Sequence, residues 1–361
     1  MFSATNPLLT VSLLIFDQTV PNLDELLIAE GNVPRSKMIR LAMHEPTEAL
    51  QEDALLCHDY QMLEALNRTS TNSGVCTIIY DPRVDPFLTG HLHEGIPLLP
   101  AVMGIETSSE AASAVSGGEP VVGIRNMELA NGFRMALPRL HQATVEVQPA
   151  ETSGSFLCEL KGEFYDKSGQ LKDPQRLYHR IEVITGEINR AALPPFNATL
   201  PQEDWMTVLY SDNWQERIEG HSGPVYYGPE LRTLKSVHYI EGAHEVWGCF
   251  QAPQVDELGG ARQGTRWQIP AAVLDGSLYL FEFLLGRLTG TKQLPHFIGQ
   301  IDFGRMPVPG EQLLGQGRFL HRDDRHLCIE FDVWGADGAA IFACRDCKLV
   351  DLNVKVVKSS K

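Results

Sequence analysis

Apolar residues in this chain fall into recognisable runs, and the order of those runs repeats once. Residues 75–80 (VCTIIY) are β-branched and apolar, as strands tend to be. After a loop, residues 101–116 begin as an apolar, small-residue run opened by Pro100. Proline suits the start of a helix, where its missing N–H has no partner to lose. Four strand-like runs follow at 121–129, 140–148, 155–165 and 177–188, and period-two alternation is clear at 145–147 and 156–164. A Pro-rich break, ALPPFNATLP over 192–201, then reads as a linker, and 202–220 as a partly charged helix. Strand-like runs resume at 233–240 and 244–252, Pro270 opens a second apolar helix over 271–288, and strands are expected at 296–303, 312–321, 326–334 and 340–350. Residues 1–72 show no such order. Short helices are expected near 22–27 and 45–56, and the segment reads as an N-terminal flank or linker.

The pattern divides the chain into a first half at 73–191, a connection at 192–222 and a second half at 223–361. Each half runs strand, apolar helix, then about four strands, and the helix starts PAVMGI (from Pro100) and PAAVLD (from Pro270) resemble each other. A helix that is apolar nearly all round must be wrapped, and a curved antiparallel sheet can wrap it. The expected class is therefore α+β, a double hotdog: two curved antiparallel sheets, each around a central apolar helix.

Composition narrows the function. The chain has 361 residues, 43% of them hydrophobic, which fits one large or two ordinary packed domains. Lys and Arg number 30 against 46 Asp and Glu, a formal charge of −16, so a nucleic-acid partner is not expected. The N-terminus lacks a basic n-region before its short apolar run, and no stretch has the length of a membrane span. A cytoplasmic protein with reduced thiols is the reading for its seven scattered cysteines. Cys344 and Cys347 form a single C-x-x-C in a strand-like run without a second ligand pair, and read as two strand residues.

The segment HLHEGIPLLP over 91–100 carries the chemistry. It places the imidazole of His91 just ahead of a helix N-terminus, with Gly95 between. A base beside oriented backbone N–H groups is suited to removing a proton next to a carbonyl. Asp275 lies in the second helix among Val273, Leu274 and Leu278, where a carboxylate is costly unless paired or protonated. His93, two residues after His91, shares its face if the segment is extended and is a rival base. Nine residues before Pro270 stands Ala261, and five after Pro100 stands Ile105, so each half holds one member of the His–Asp pair. One composite site per chain follows, and its pseudo-equivalent should be degenerate.

These motifs resemble those of polyketide synthase dehydratase domains. His91, Gly95 and Pro100 match H-x-x-x-G-x-x-x-x-P; Asp275 matches the Asp of the second motif; Tyr227-Gly-Pro-Glu-Leu231 is similar to Tyr-Gly-Pro-x-Phe; and Leu294-Pro295 begins the Leu-Pro-Phe-x-Trp element. The resemblance spans about residues 80–351. It implies loss of water from a 3-hydroxyacyl thioester held on an acyl carrier protein, with His91 as base and Asp275 as acid. Gly95 and the helix start at Pro100 would hold the thioester oxygen. Tyr227 would bond the leaving hydroxyl or line the acyl tunnel, and Tyr279 would orient Asp275. Gly95 and Pro100 read equally as loop-shaping residues.

The chain departs from the family pattern at Ile269 (commonly His), Leu231 (Phe), Tyr279 (Gln or His) and after Pro295, where His296, Phe297 and Ile298 follow without Trp. These changes point to an iterative or polyunsaturated-fatty-acid type synthase. A product-template cyclase, or a non-catalytic acyl-binding hotdog module, would share much of the pattern. No Rossmann, Walker or zinc-protease fingerprint is present, so neither nucleotide cofactor nor metal is implied; the substrate arrives on phosphopantetheine. Expected partners are the carrier protein, neighbouring synthase domains and a second copy in a homodimer. Arg125, Arg134 and Arg139 are candidates to receive the acidic carrier.

Overall fold

The computed structural model describes residues 57–355, except 58, 136–137, 167, 189–192, 198–203, 211–224, 241, 243, 263, 265 and 324. The helices expected near 22–27 and 45–56 lie outside the described residues. In chain order the first half contains β1 (Leu63–Ser70), β2 (Ser73–Tyr80), α1 (Pro86–Thr89), β3 (His91–His93), β4 (Ile96–Pro97), α2 (Ala101–Val115), β5 (Val121–Leu129), β6 (His141–Pro149), β7 (Ser155–Tyr165) and β8 (Leu171–Thr185). The second contains β9 (Met206–Thr207), β10 (Val225–Tyr227), β11 (Leu234–Ile240), β12 (Glu245–Gln251), α3 (Val255–Gly259), α4 (Ala271–Thr289), β13 (Thr291–Phe303), β14 (Gln312–Arg322), β15 (His326–Gly335) and β16 (Ala340–Lys355).

Alternation drives these strands. In β6 the residues His141, Ala143, Val145 and Val147 face the core, while Gln142 and Gln148 face out. Helix α2 packs against β1, β2 and β5–β8, and α4 against β11–β14; the two helices also touch each other. Both begin after a proline that acts as N-cap without a side-chain hydrogen bond.

Four expectations need correction. The two sheets are one: thirteen strands run β1-β2-β6-β7-β8-β5-β13-β16-β15-β14-β12-β11-β9. The join is the antiparallel pair β5–β13, where Ile124 faces Ile301 in register and Arg125 binds Asp302 at 2.6 Å. The flank does not extend to residue 72, because β1 pairs with β2 and buries Leu63 and Leu66 in the first core. The helix expected at 202–220 gives way, in its described part, to β9, which pairs Met206 with Val237 of β11. Finally, α2 is buried all round but is not apolar, since it encloses Glu106, Thr107, Ser108, Ser109, Glu110 and Ser113. Such groups are tolerated when hydrogen-bonded: Thr107 donates to the Met103 carbonyl at 2.7 Å, and Ser113 to that of Glu119 at 2.7 Å.

Cys344 and Cys347 do sit in a strand. One extra residue of β16 is accommodated between them against Ile329 and Phe331, and Asp346 takes a positive φ of 51°. This bulge turns both thiols to the buried side, where each is fully covered.

Candidate active site

Strand β3 is three residues long and lies between β4 and β10. Glu94 (φ 54°) and Gly95 (φ 79°) link β3 to β4, both left-handed, as in a type I′ hairpin turn. Gly95 therefore serves the turn. It is not among the residues that line the cavity described below. The hairpin brings the chain back so that Leu98 N–H donates to the His91 carbonyl at 3.0 Å.

That return fixes the imidazole. His91 Nδ1 lies 2.6 Å from the Leu98 carbonyl oxygen. A carbonyl only accepts, so Nδ1 carries the proton and Nε2 of the neutral ring keeps its lone pair. The side chain is buried, and desolvation pushes its pKa down to about 4. On the other side of β3, β10 pairs Tyr227 with His91, and the two rings meet edge-on with centroids 5.7 Å apart.

Asp275 occupies the second turn of α4 and is only 5% exposed. Its Oδ2 has no hydrogen-bond partner among the described residues. Burial pushes its pKa up to about 7, so the carboxyl holds a proton under mildly acidic to neutral conditions.

His91 and Asp275 line one cavity of about 370 Å³. Its wall includes Pro100, Ala101 and Gly104 from the start of α2, Leu129 and Phe133, Leu160 and Tyr178, and Tyr227, Leu278 and Glu282. Phe133 stacks flat on Tyr178 at 3.9 Å, making a rigid apolar panel. Positions 275, 278 and 282 share one face of α4, which explains how one helix contributes all three.

The other expected residues divide. Pro100 and Tyr227 line the cavity, whereas His93 does not; its Nδ1 lies 3.8 Å from the Glu94 carboxylate. Tyr279 is not in the wall either. It packs behind Tyr227 (4.7 Å) and against Tyr210 (5.6 Å), and its hydroxyl does not serve Asp275 Oδ2. Of the three arginines, Arg125 is committed to Asp302 and the Ile301 carbonyl across the β5–β13 join, while Arg134 and Arg139 are exposed.

Among the polar wall residues that escaped the sequence reading are His179 and Glu282. His179 on β8 is buried, with Nε2 2.8 Å from Ser108 Oγ, and desolvation lowers its pKa to about 4. A Cβ at Gly104 would come within 2.7 Å of its ring, so the helical glycine makes room for it. The alternation His179, Ile181, Val183 was the available signal. Glu282 lay two turns after Asp275, but nothing in its local pattern separated it from an ordinary helix-surface carboxylate.

No protein-family model matches the sequence, and no curated protein matches it. Solved structures do resemble the fold. The dehydratase domain from the CurF module of curacin polyketide synthase aligns with 81% of this chain and 99% of its own, at TM-score 0.60 and 13% identity. The dehydratase domain of RzxB from Pseudomonas fluorescens aligns over 80% and 99%, at TM-score 0.58 and 15% identity. That of PpsC from Mycobacterium tuberculosis, solved in complex with C12:1-CoA, aligns over 82% and 99%, at TM-score 0.60 and 13% identity. At such low identity the likeness speaks for architecture: this chain has the fold of polyketide synthase dehydratase domains.

Proposed function

We propose that this chain removes water from a 3-hydroxyacyl thioester carried on the phosphopantetheine arm of an acyl carrier protein, giving the 2-enoyl thioester, within a polyketide or polyunsaturated-fatty-acid type synthase. One observation carries the reading. A buried imidazole with its Nε2 lone pair available and a buried carboxyl that favours its protonated form face the same largely apolar cavity, one from each half.

In this reading His91 Nε2 takes the α-proton, and the electron pair released moves toward the thioester oxygen. The N-terminus of α2, whose Pro100 and Ala101 line the cavity, stabilises that developing charge. Asp275 gives its proton to the β-hydroxyl, the carbon–oxygen bond breaks, and water departs as the carbon–carbon double bond forms. His91 is left protonated and Asp275 ionised, and one proton passed from the first to the second restores both. Tyr227 lines the path beside His91. Arg134 and Arg139 are the exposed cations proposed to meet the acidic carrier.

Two neighbours support the assignment. The PpsC domain was solved with an acyl-CoA thioester, and a histidine-to-phenylalanine form of the CurJ dehydratase is inactive. The test is incubation of the protein with a carrier-bound 3-hydroxyacyl chain, followed by intact-mass analysis. Loss of one water from the carrier is expected. An unchanged carrier mass with retained binding would assign the chain to acyl binding alone, and a cyclised product without water loss would assign it to ring closure.

A further inference from the structure

Helix α2 encloses two carboxyl groups one turn apart, Glu106 and Glu110, both with no solvent exposure. Each accepts two consecutive backbone N–H groups. Glu110 Oε1 and Oε2 take those of Gln61 (3.1 Å) and Met62 (2.8 Å), just before β1. Glu106 Oε1 and Oε2 take those of Gln268 (2.8 Å) and Ile269 (2.9 Å), just before Pro270 and α4. The two carboxyls are neighbours on the helix, and burial pushes both toward the neutral form.

The Glu106 contact joins two segments that matter to the site. Upstream on its own helix, α2 begins three residues after Leu98, whose carbonyl holds the His91 imidazole. Across the contact, α4 begins two residues after Ile269, and Asp275 stands on its second turn. No side chain caps α4, and no hydrogen bond among the described residues orients Asp275 Oδ2. The place of that carboxyl is thus set by where the backbone enters α4, and Glu106 grips the entry.

We propose that Glu106 is a positioning residue that sets the spacing between the His91 imidazole and the Asp275 carboxyl by tying the start of α4 to α2. This rests on the dehydratase reading for its activity arm only. Glu110 is the comparison: it makes the same kind of bond, in the same buried place, to Gln61 and Met62, which stand one step further from α4 and reach its approach through bonds such as Gln61 Nε2 to the Gly264 carbonyl and Arg262 to the Gln61 carbonyl.

The experiment compares Glu106→Gln, Glu106→Asp and Glu110→Gln as full-length proteins, with kinetics normalised to the folded fraction and amide hydrogen exchange measured across 271–276. An amide side chain keeps one acceptor and loses the other, so Glu106→Gln should break one of the two N–H bonds. The expected result is a fall in kcat of about 10–100-fold, since small misplacements of reacting groups cost on that scale. KM should stay within about threefold, and exchange in the first turns of α4 should quicken. Glu110→Gln should keep kcat within about threefold even if it unfolds at a similarly lower temperature. Should Glu106→Gln fail to fold, Glu106→Asp, which keeps both oxygens but draws them back by one methylene, is read in its place. Wild-type-like kcat in the folded Glu106 variant, or an equal fall in Glu110→Gln, overturns the proposal. If the wild-type protein eliminates no water, the dehydratase reading fails instead, and exchange alone decides the tie: unchanged protection of α4 overturns it.

Discussion

The approaches to the two central helices make the sharpest contrast in the molecule. Ahead of α2, the β3–β4 hairpin bends the chain outward, and Leu98 to Ala101 help to wall a cavity of about 370 Å³. Ahead of α4, Trp267, Ile269 and Pro270 border a cavity of only about 60 Å³, together with Pro253, Leu258, Met306 and Pro307. The first approach presents an imidazole to a void. The second has its backbone N–H groups taken by a carboxylate from the other helix. Duplication of an architecture therefore does not duplicate a site; the first half brings His91 and the second Asp275, and both halves wall the one chamber.

Ways to break that contrast run from drastic to silent. His91→Ala should cost most, lowering single-turnover dehydration by about 10³–10⁴-fold, the upper range for loss of a general base. Its circular dichroism should remain that of the wild type. A residual rate within tenfold of wild type would remove His91 from the chemistry. Asp275→Asn should cost about 10²–10³-fold, because the amide still donates a hydrogen bond to the hydroxyl but has no acidic proton to transfer.

The pH dependence follows from the opposite shifts of the two groups. His91 must be neutral, so activity should fall as pH drops through about 4, where the ring protonates. Asp275 must be protonated, so activity should also fall as pH rises through about 7. A bell in kcat/KM with these limbs is expected from stopped-time product analysis, and a profile still rising between pH 7 and pH 9 would contradict the assignment of Asp275 as acid. The smallest effect is the most diagnostic of asymmetry. Adding Ala261→His to His91→Ala gives the second half a histidine at the matching distance from its proline, yet should restore nothing, because among the described residues no strand hairpin directly precedes Pro270 and the cavity beside it is only about 60 Å³. Recovered turnover would show the second approach to be a usable site.

Much of this was legible in the residues. Both proline-started helices and most strands came from local pattern and spacing, the pair His91 and Asp275 from the motif resemblance, and the structure brings that pair to one cavity. What escaped was non-local. LEALNRTS in β1 lacks β-branched apolar residues and becomes a strand only because β2 pairs with it. The single continuous sheet depends on β5 meeting β13, some 170 residues away in register, for which no window of sequence carries a sign. Gly95 stayed open between two readings because a tight turn and a ligand contact ask for the same residue, and the left-handed conformation of Glu94 beside it shows the turn. The helix at 101–116 was rightly read as central, but its buried Glu106 and Glu110 were passed over, because their backbone partners at 61–62 and 268–269 lie far away in the chain.

The β5–β13 ladder has a practical consequence for anyone wishing to study the halves apart. Severing the chain between them would strip the hydrogen-bond partners from β5 in one fragment and from β13 in the other, baring two open strand margins studded with Ile124, Ile298 and Ile301. Exposed margins of that kind recruit whatever strand is nearest. The isolated fragments should therefore aggregate or re-pair with one another when co-expressed, and only the undivided chain should behave as a well-dispersed particle.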